Sequence, residues 1–390
     1  MARLLARGLL PLFALLSACS APAQPTAAAP KPVPLAPAPV KTEPAIPPAP
    51  VRAAPTRPPP AVLWTTTKLR NLDYVDARDV AKHFGYKLAW SKPDMAMTLS
   101  DARGVRFTFE NNQKDFYLDG LRIFLGTPAV RHKDSLWISL LDVIKVVAPL
   151  ARPGDHLAQL PAAPLRTIVL DPGHGGIDPG TQNLKFGVNE KTATLDVAQR
   201  LRKVLETSGW RVLLVRDRDT ELSKDKKTDL LLRDEFANRN QADLYLSIHF
   251  NSAGPVVSGI ETYVLAPQFM LSAGDETGDD MTKAAYPSNR LDTANLLFGE
   301  QLHRAMITGL HTPDRGYKHA RKAVLRMLDC PGALVECGYL SNDAEARRIS
   351  TSEFRQQIAE SLAAGVQNYS AALAALRIPP VPAPEATKPK

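Results

Sequence analysis

The chain has 390 residues, 44% of them apolar, and its 48 basic side chains exceed its 40 acidic ones to give a formal net charge of +8. That length leaves room for two or three packed domains once connectors are subtracted. The modest positive excess suits an anionic polymer or lipid headgroups as neighbours, and it argues against nucleic acid, because no dense basic run interleaved with aromatics occurs.

The N-terminus carries Arg3 and Arg7, then the apolar run from Leu9 to Leu16, then Ser17-Ala18-Cys19. This order of basic, hydrophobic and small residues is that of an export leader over residues 1–19, and the apolar run is too short to span a bilayer. Leu16-Ser17-Ala18-Cys19 resembles a bacterial lipobox, whose cysteine is lipidated and becomes the new N-terminus; an ordinary cleaved signal peptide is the other reading. Both export the protein to the periplasm or cell envelope. Acyl chains on Cys19 would hold it at a membrane without a transmembrane helix. Residues 20–61 are Ala/Pro-rich and hold much of the excess among the 34 prolines, so they form a semi-rigid tether.

From residue 62 to about 150 the pattern is globular. Tyr74 to Gly85 predicts a short helix stopped by glycine, and Tyr86 to Trp90, Met95 to Leu99 and Val105 to Glu110 predict strands. The phrase Leu136 to Val143 loosely echoes Tyr74 to Val80, an apolar step into a short helix. Together these phrases resemble the small non-catalytic α+β domain first named from copper amine oxidases. Its expected role is positioning or wall binding, or that of a plain spacer, since fold analogy supplies no function.

Thr167-Ile168-Val169-Leu170 is a buried-type strand that ends at Asp171-Pro172-Gly173, and Glu190 to Ser208 has helical spacing. Further strands are expected at Val212 to Val215, Leu244 to Phe250, Ile260 to Leu265 and Ala333 to Cys337, with helices near Asp229 to Asn240, Leu291 to Gly309 and Glu353 to Tyr369. The alternation predicts an α/β fold over residues 166–371, a mostly parallel twisted sheet with helices on both faces. Residues 372–390 read as a disordered tail. Cys330 and Cys337 are expected to be free and buried, because on one strand they would stand ~20 Å apart, beyond disulfide reach.

Functional groups in such folds gather at strand ends. His174 follows the first strand in Asp171-Pro172-Gly173-His174-Gly175-Gly176, Glu190 opens the first helix, and His249 ends the strand Leu244 to His249. Two imidazoles and a carboxylate form a donor set known from catalytic zinc sites. Taken singly, His249 is as readily a satisfied strand-end histidine, and the glycine-rich turn as readily just a turn. Glu336 is an acidic residue inside the apolar phrase Ala333 to Cys337, costly to bury without a partner. Val335 and Cys337 would face the opposite side, so Glu336 projects toward the metal as a general base or forms a salt bridge within the sheet. Asn251, Arg315 and Arg321 either hold substrate or are merely solvated.

Four ordered phrases now identify residues 166 to about 370 as similar to the type-3 zinc N-acetylmuramoyl-L-alanine amidases: Asp171 to Gly176, Asn189-Glu190-Lys191, Ser247-Ile248-His249-Phe250-Asn251 and Leu334 to Asn342. Phe250 and Cys337 depart mildly from the residues common there. The resemblance implies Zn2+ held by His174, Glu190 and His249, with Glu336 as catalytic acid/base, cutting the bond between N-acetylmuramic acid and L-alanine during wall remodelling or daughter-cell separation. It implies peptidoglycan as partner and leaves room for an activator protein. The alternatives are a catalytically silent wall-binding scaffold and a zinc peptidase acting within the stem peptide. Some relatives carry an inhibitory element after the fourth strand; residues 266–290, with Asp275, Glu276, Asp279 and Asp280, are therefore either such a gate or a solvated loop.

Overall fold

The structure, a computed structural model, describes residues 63–273 and 280–377. The leader with Cys19, the 20–61 tether and the residues beyond 377 lie outside these, as do Asp275, Glu276, Asp279 and the side chain of Asp280.

Nine short strands come first: β1 (Thr66–Leu69), β2 (Leu72–Asp76), β3 (Lys87–Lys92), β4 (Ala96–Ser100), β5 (Arg106–Glu110), β6 (Asp115–Leu118), β7 (Leu121–Phe124), β8 (Val130–His132) and β9 (Ser135–Ser139). The order β1-β2-β9-β8 forms one antiparallel sheet, and β3 to β7 form a second antiparallel ladder. The helix expected from Tyr74 begins at Ala77, because Tyr74 to Asp76 pair with β9. The Asp76 carboxylate caps it by accepting from the Arg78 N–H, and Gly85 ends it in the left-handed region. The echo at Leu136 to Val143 is the same device. Ser139 ends β9 and its side chain accepts from the Asp142 N–H at the head of a helical stretch over 140–151.

The second half adds β10 (Thr167–Pro172), β11 (Gln182–Asn183), β12 (Val188–Asn189), β13 (Arg211–Leu214), β14 (Leu244–Asn251), β15 (Ile260–Leu265), β16 (Asp314–Ala320) and β17 (Gly332–Tyr339). Six of these run in the order β13-β10-β14-β17-β15-β16, and every neighbouring pair is parallel except β15 with β17. Helices Glu190–Thr207, Asp292–Leu310 and Ser352–Ala375 cover the face carrying Ile168, Leu246 and Val335. The Lys226–Arg239 helix and the 320–330 segment cover the face carrying Val169, Tyr245 and Leu334. Burial on both faces explains why β10, β15 and β17 are buried along their whole lengths. The fold is α/β, as the alternation predicts.

Three features differ from expectation. The Ser352–Ala375 helix runs past residue 371, where a disordered tail was expected, because Leu373 continues its apolar face and is 1% exposed. β16 went unforeseen, since Arg315, Lys318 and His319 mask its strand character. Its outer side pairs in parallel with β7 at Tyr317 and Ile123, so the two halves share one eleven-stranded sheet. The Asp314 carboxylate reinforces that seam by accepting from the Arg122 N–H at 2.9 Å.

Phe116 sits in this shared core, fully buried with its ring 5.0 Å from Phe109 and 6.0 Å from Phe107. Phe116→Ala should lower unfolding free energy by about 3–5 kcal/mol, read as a shift of the urea midpoint at constant slope.

Candidate metal centre

The turn after β10 is held from below by charged side chains. Asp171 is fully buried and accepts from Arg233 Nη1 at 2.7 Å, Tyr245 OH at 2.6 Å and Ser247 Oγ at 2.9 Å. Burial would raise its carboxyl, but the Arg233 guanidinium together with the donors Tyr245 and Ser247 and the nearby His249 holds it below its usual value. The same guanidinium donates onward to the carbonyls of Pro172 and His174, at 3.2 and 3.0 Å. A second buried arginine, Arg216, donates to the carbonyls of Pro172, Gly173 and Lys191 at 2.7 to 2.9 Å. The carbonyls of Pro172, Gly173 and His174 thereby each accept from an arginine, and the backbone at His174 lies in the left-handed region with φ +63°.

That conformation turns the His174 ring toward the head of the Glu190–Thr207 helix. Its Nε2 lies 3.0 Å from Glu190 Oε1, and its Nδ1 lies 2.9 Å from Asp178 Oδ2, a carboxylate that Lys226 also contacts. His249, on β14, brings its Nδ1 to 3.0 Å from the same Glu190 Oε1. Backbone N–H groups of Phe250 and Thr181 donate to Oε1 and Oε2 of Glu190 at 3.0 and 2.8 Å, orienting the carboxylate. The space is tight. A Cβ at Gly180, whose φ is +64°, would stand 2.6 Å from Glu190 Oε2, and one at Gly173 would enter the His249 ring at 2.3 Å. Lys191 completes the cradle by donating to the Gly176 carbonyl at 2.8 Å and pairing with Asp219 at 2.7 Å.

His174, Glu190 and His249 thus offer three ligand atoms that all lie within 4.8 Å of one another. The donor set fits a divalent zinc-type ion: two imidazole nitrogens, one ionised carboxylate and a carboxylate behind one histidine that fixes its tautomer. Burial opposes ionisation of Glu190, yet hydrogen bonds from His174 and His249 hold its carboxyl far below the usual range.

Glu336 sits beside this cluster, directly across from His249 in the β14–β17 ladder. Val335 and Cys337 point into the opposite face, so the Glu336 side chain shares the side of the His249 ring. Among the described residues no salt bridge holds it. Its Oε2 is buried without a hydrogen-bond partner among the described residues. Burial, followed by the charge of Glu190, pushes its carboxyl up to about 8, against the opposing pull of Lys322. Cys330 and Cys337 are free and buried, and burial pushes both thiols upward.

Of the three polar candidates beyond the cluster, Asn251 and Arg315 hydrogen-bond Glu261, the row neighbour of Glu336. Arg321 is 8% exposed and donates to the carbonyls of Pro267, Met270 and Thr282, bracing the segment after β15. Sequence reasoning missed Asp178, Arg216, Arg233 and Glu261. Asp178 lies four residues beyond His174 in the same glycine-rich phrase, which is a signal in itself; the arginines gave none, because their acceptors lie tens of residues away.

Residues 168–368 match the Amidase_3 family, described as N-acetylmuramoyl-L-alanine amidase. An uncharacterized cell wall amidase of Bacillus anthracis is 32% identical over 206 residues, 52% of this chain and 35% of that one. The sporulation-specific N-acetylmuramoyl-L-alanine amidase of Bacillus subtilis is 33% identical over 202 residues, 51% of this chain and 66% of the relative. The matched part therefore spans less than two thirds of either relative. The crystal structure of an N-acetylmuramoyl-L-alanine amidase from Clostridium difficile 630 is 28% identical, covering 53% of this chain and 97% of that one with a TM-score of 0.43.

The Asp178 carboxylate contacts His174 Nδ1 among the three candidate ligands, and otherwise the Gly180 N–H and Lys226. Asp178→Ala should weaken zinc binding about 10- to 100-fold, measured by competition with a fluorescent chelator, while the melting temperature of the metal-free protein changes little.

Proposed function

The chain belongs to the Amidase_3 family of N-acetylmuramoyl-L-alanine amidases, and on that footing we propose that it hydrolyses, with zinc, the amide joining N-acetylmuramic acid to the L-alanine of the peptide stem in peptidoglycan. The observation that carries this reading is the pairing of the three converging ligand atoms with one unpartnered buried carboxylate, Glu336, in the neighbouring strand.

The residues divide the chemistry as follows. His174 Nε2, His249 Nδ1 and Glu190 Oε1 are the atoms that would hold zinc. Zinc bound there would supply Lewis-acid polarisation of the scissile carbonyl and acidify water at neutral pH. Glu336 accepts the proton of the attacking water at its unpartnered Oε2 and returns it to the departing L-alanine nitrogen. A carboxylate pushed upward is suited to both halves of that transfer, and a cation at the ligands moderates the push by offsetting the charge of Glu190. No side-chain nucleophile is needed, which accords with two buried thiols lacking a paired base. The leader and tether suit a lipid-anchored enzyme of the envelope that reaches the wall for remodelling or cell separation.

Digestion of purified peptidoglycan by the zinc-loaded protein should release intact stem peptides beginning with a free L-alanine amine. Glu336→Gln should lower that release about 10²- to 10⁴-fold without loss of bound zinc, and a chelator should abolish it until zinc is restored. Mass spectra showing cuts within the stem would replace this reading with a peptidase, and zinc-independent absence of any release would leave a scaffold.

A further inference from the structure

Beyond the ligands, the same face of the sheet continues through a second cluster. His249, Glu336 and Glu261 lie in register across β14, β17 and β15. Glu261 is 3% exposed and saturated with donors: Asn251 Nδ2 at 2.8 Å, Tyr263 OH at 2.7 Å, Lys318 Nζ at 2.5 Å and Arg315 Nε at 3.4 Å. Its carboxyl is held below the usual value, burial being outweighed chiefly by Lys318.

Two β-bulges shape what stands above it. Between Ile260 and Thr262 of β15 the partner strand β16 carries an extra residue, and between His249 and Asn251 of β14 so does β17. Gly316 at φ +99° and Gly338 at φ +135° permit these bulges, and each adjoins a side chain that the bulge re-aims. Arg315 and Tyr339 are thereby brought together, with Arg315 Nε 3.0 Å from Tyr339 OH and its guanidinium 5.3 Å from the ring centre. Asn251 Nδ2 joins them at 3.3 Å from the same hydroxyl. Among the described residues the guanidinium is gripped through Nε alone. Both Nη atoms have no hydrogen-bond partner among the described residues, and the side chain is 37% exposed.

A fork of unused donors, fixed by a buried carboxylate and an aromatic face, is the geometry that takes a carboxylate from solution. We propose that Arg315 is the centre of a subsite for the first free carboxylate of the peptide stem. The inference rests on the amidase reading, because Glu336 must reach the departing nitrogen, and this places the peptide on the side of β15 and β16, away from His174 and Glu190. Where the second stem residue is D-glutamate linked through its side-chain carboxyl, its α-carboxylate is the group that arrives there.

The test is equilibrium binding of two product peptides to the zinc-loaded full chain: L-alanyl-D-glutamate bearing a γ-methylamide, and the same peptide with its α-carboxyl amidated. The free carboxylate should improve affinity about 10- to 100-fold in the wild type, and Arg315→Gln should erase the difference. Glu261 keeps three other donors in that variant, so zinc content and melting temperature should hold. In turnover, Arg315→Gln should raise KM for carboxylate substrates more than it lowers kcat. Equal wild-type affinity for both peptides, or a preference that survives Arg315→Gln, would overturn the subsite. Failure of the amidase reading is seen separately, as absence of free L-alanine amines from peptidoglycan, because peptide binding is read without turnover.

Discussion

One buried ion pair supports the arrangement on which the site depends. Asp171 and Arg233 meet at 2.7 Å with both side chains almost fully removed from solvent, and Tyr245 and Ser247 satisfy the remaining carboxylate oxygen. Such a pair contributes little net stability over an apolar substitute, while removing one member leaves an uncompensated charge costing about 3–5 kcal/mol. Its value here is geometric. Arg233 couples the Lys226–Arg239 helix to the backbone carbonyls of Pro172 and His174, so that the first ligand is aimed by a helix more than fifty residues downstream. Arg216 grips the same turn from the end of β13 and reaches Lys191 as well, joining the two ligand-bearing segments through one guanidinium.

Upon that base the structure sets three carboxylates in different environments. Glu190 collects donors from two imidazoles and two backbone N–H groups, Glu261 collects them from side chains of four residues, and Glu336 between them collects none at Oε2. Environments that pull neighbouring carboxyl groups apart in proton affinity are how acid, base and ligand roles are separated in one site. Glu336 and Glu261 are direct neighbours in the β17–β15 ladder, so these two carboxylates share one row and differ in what surrounding groups donate to them.

Strongly periodic elements were legible in the sequence. The Glu190–Thr207 helix and strands β10, β14, β15 and β17 lie where apolar spacing puts them, because each is buried by partners that demand that spacing. The cluster at their ends was legible as well, since His174, Glu190, His249 and Glu336 occupy ordered phrases that the fold brings together. What remained hidden depends on distant contacts. β16 is read as polar until β15 and β7 are seen on its two sides, and Ala77 rather than Tyr74 opens the first helix because β9 claims the preceding residues. Arg216, Arg233 and Glu261 are individually unremarked charges in the sequence; only the fold shows that each is buried and what it holds.

The pairing of β7 with β16 has a consequence for the chain's behaviour in solution. In a fragment shortened to the segment that resembles the amidases, β16 would become the bare outer edge of a six-stranded sheet, with unpaired backbone N–H and C=O groups along it. Gly316 would lose the Phe124 ring that packs over it, and Tyr317 its contact with Ile123. An edge of that kind is a template for another copy of itself, and such a fragment would tend to aggregate. The four antiparallel strands that follow β7 in the sheet end instead at β3, a short strand carrying Lys87 and Lys92, whose charges discourage strand addition.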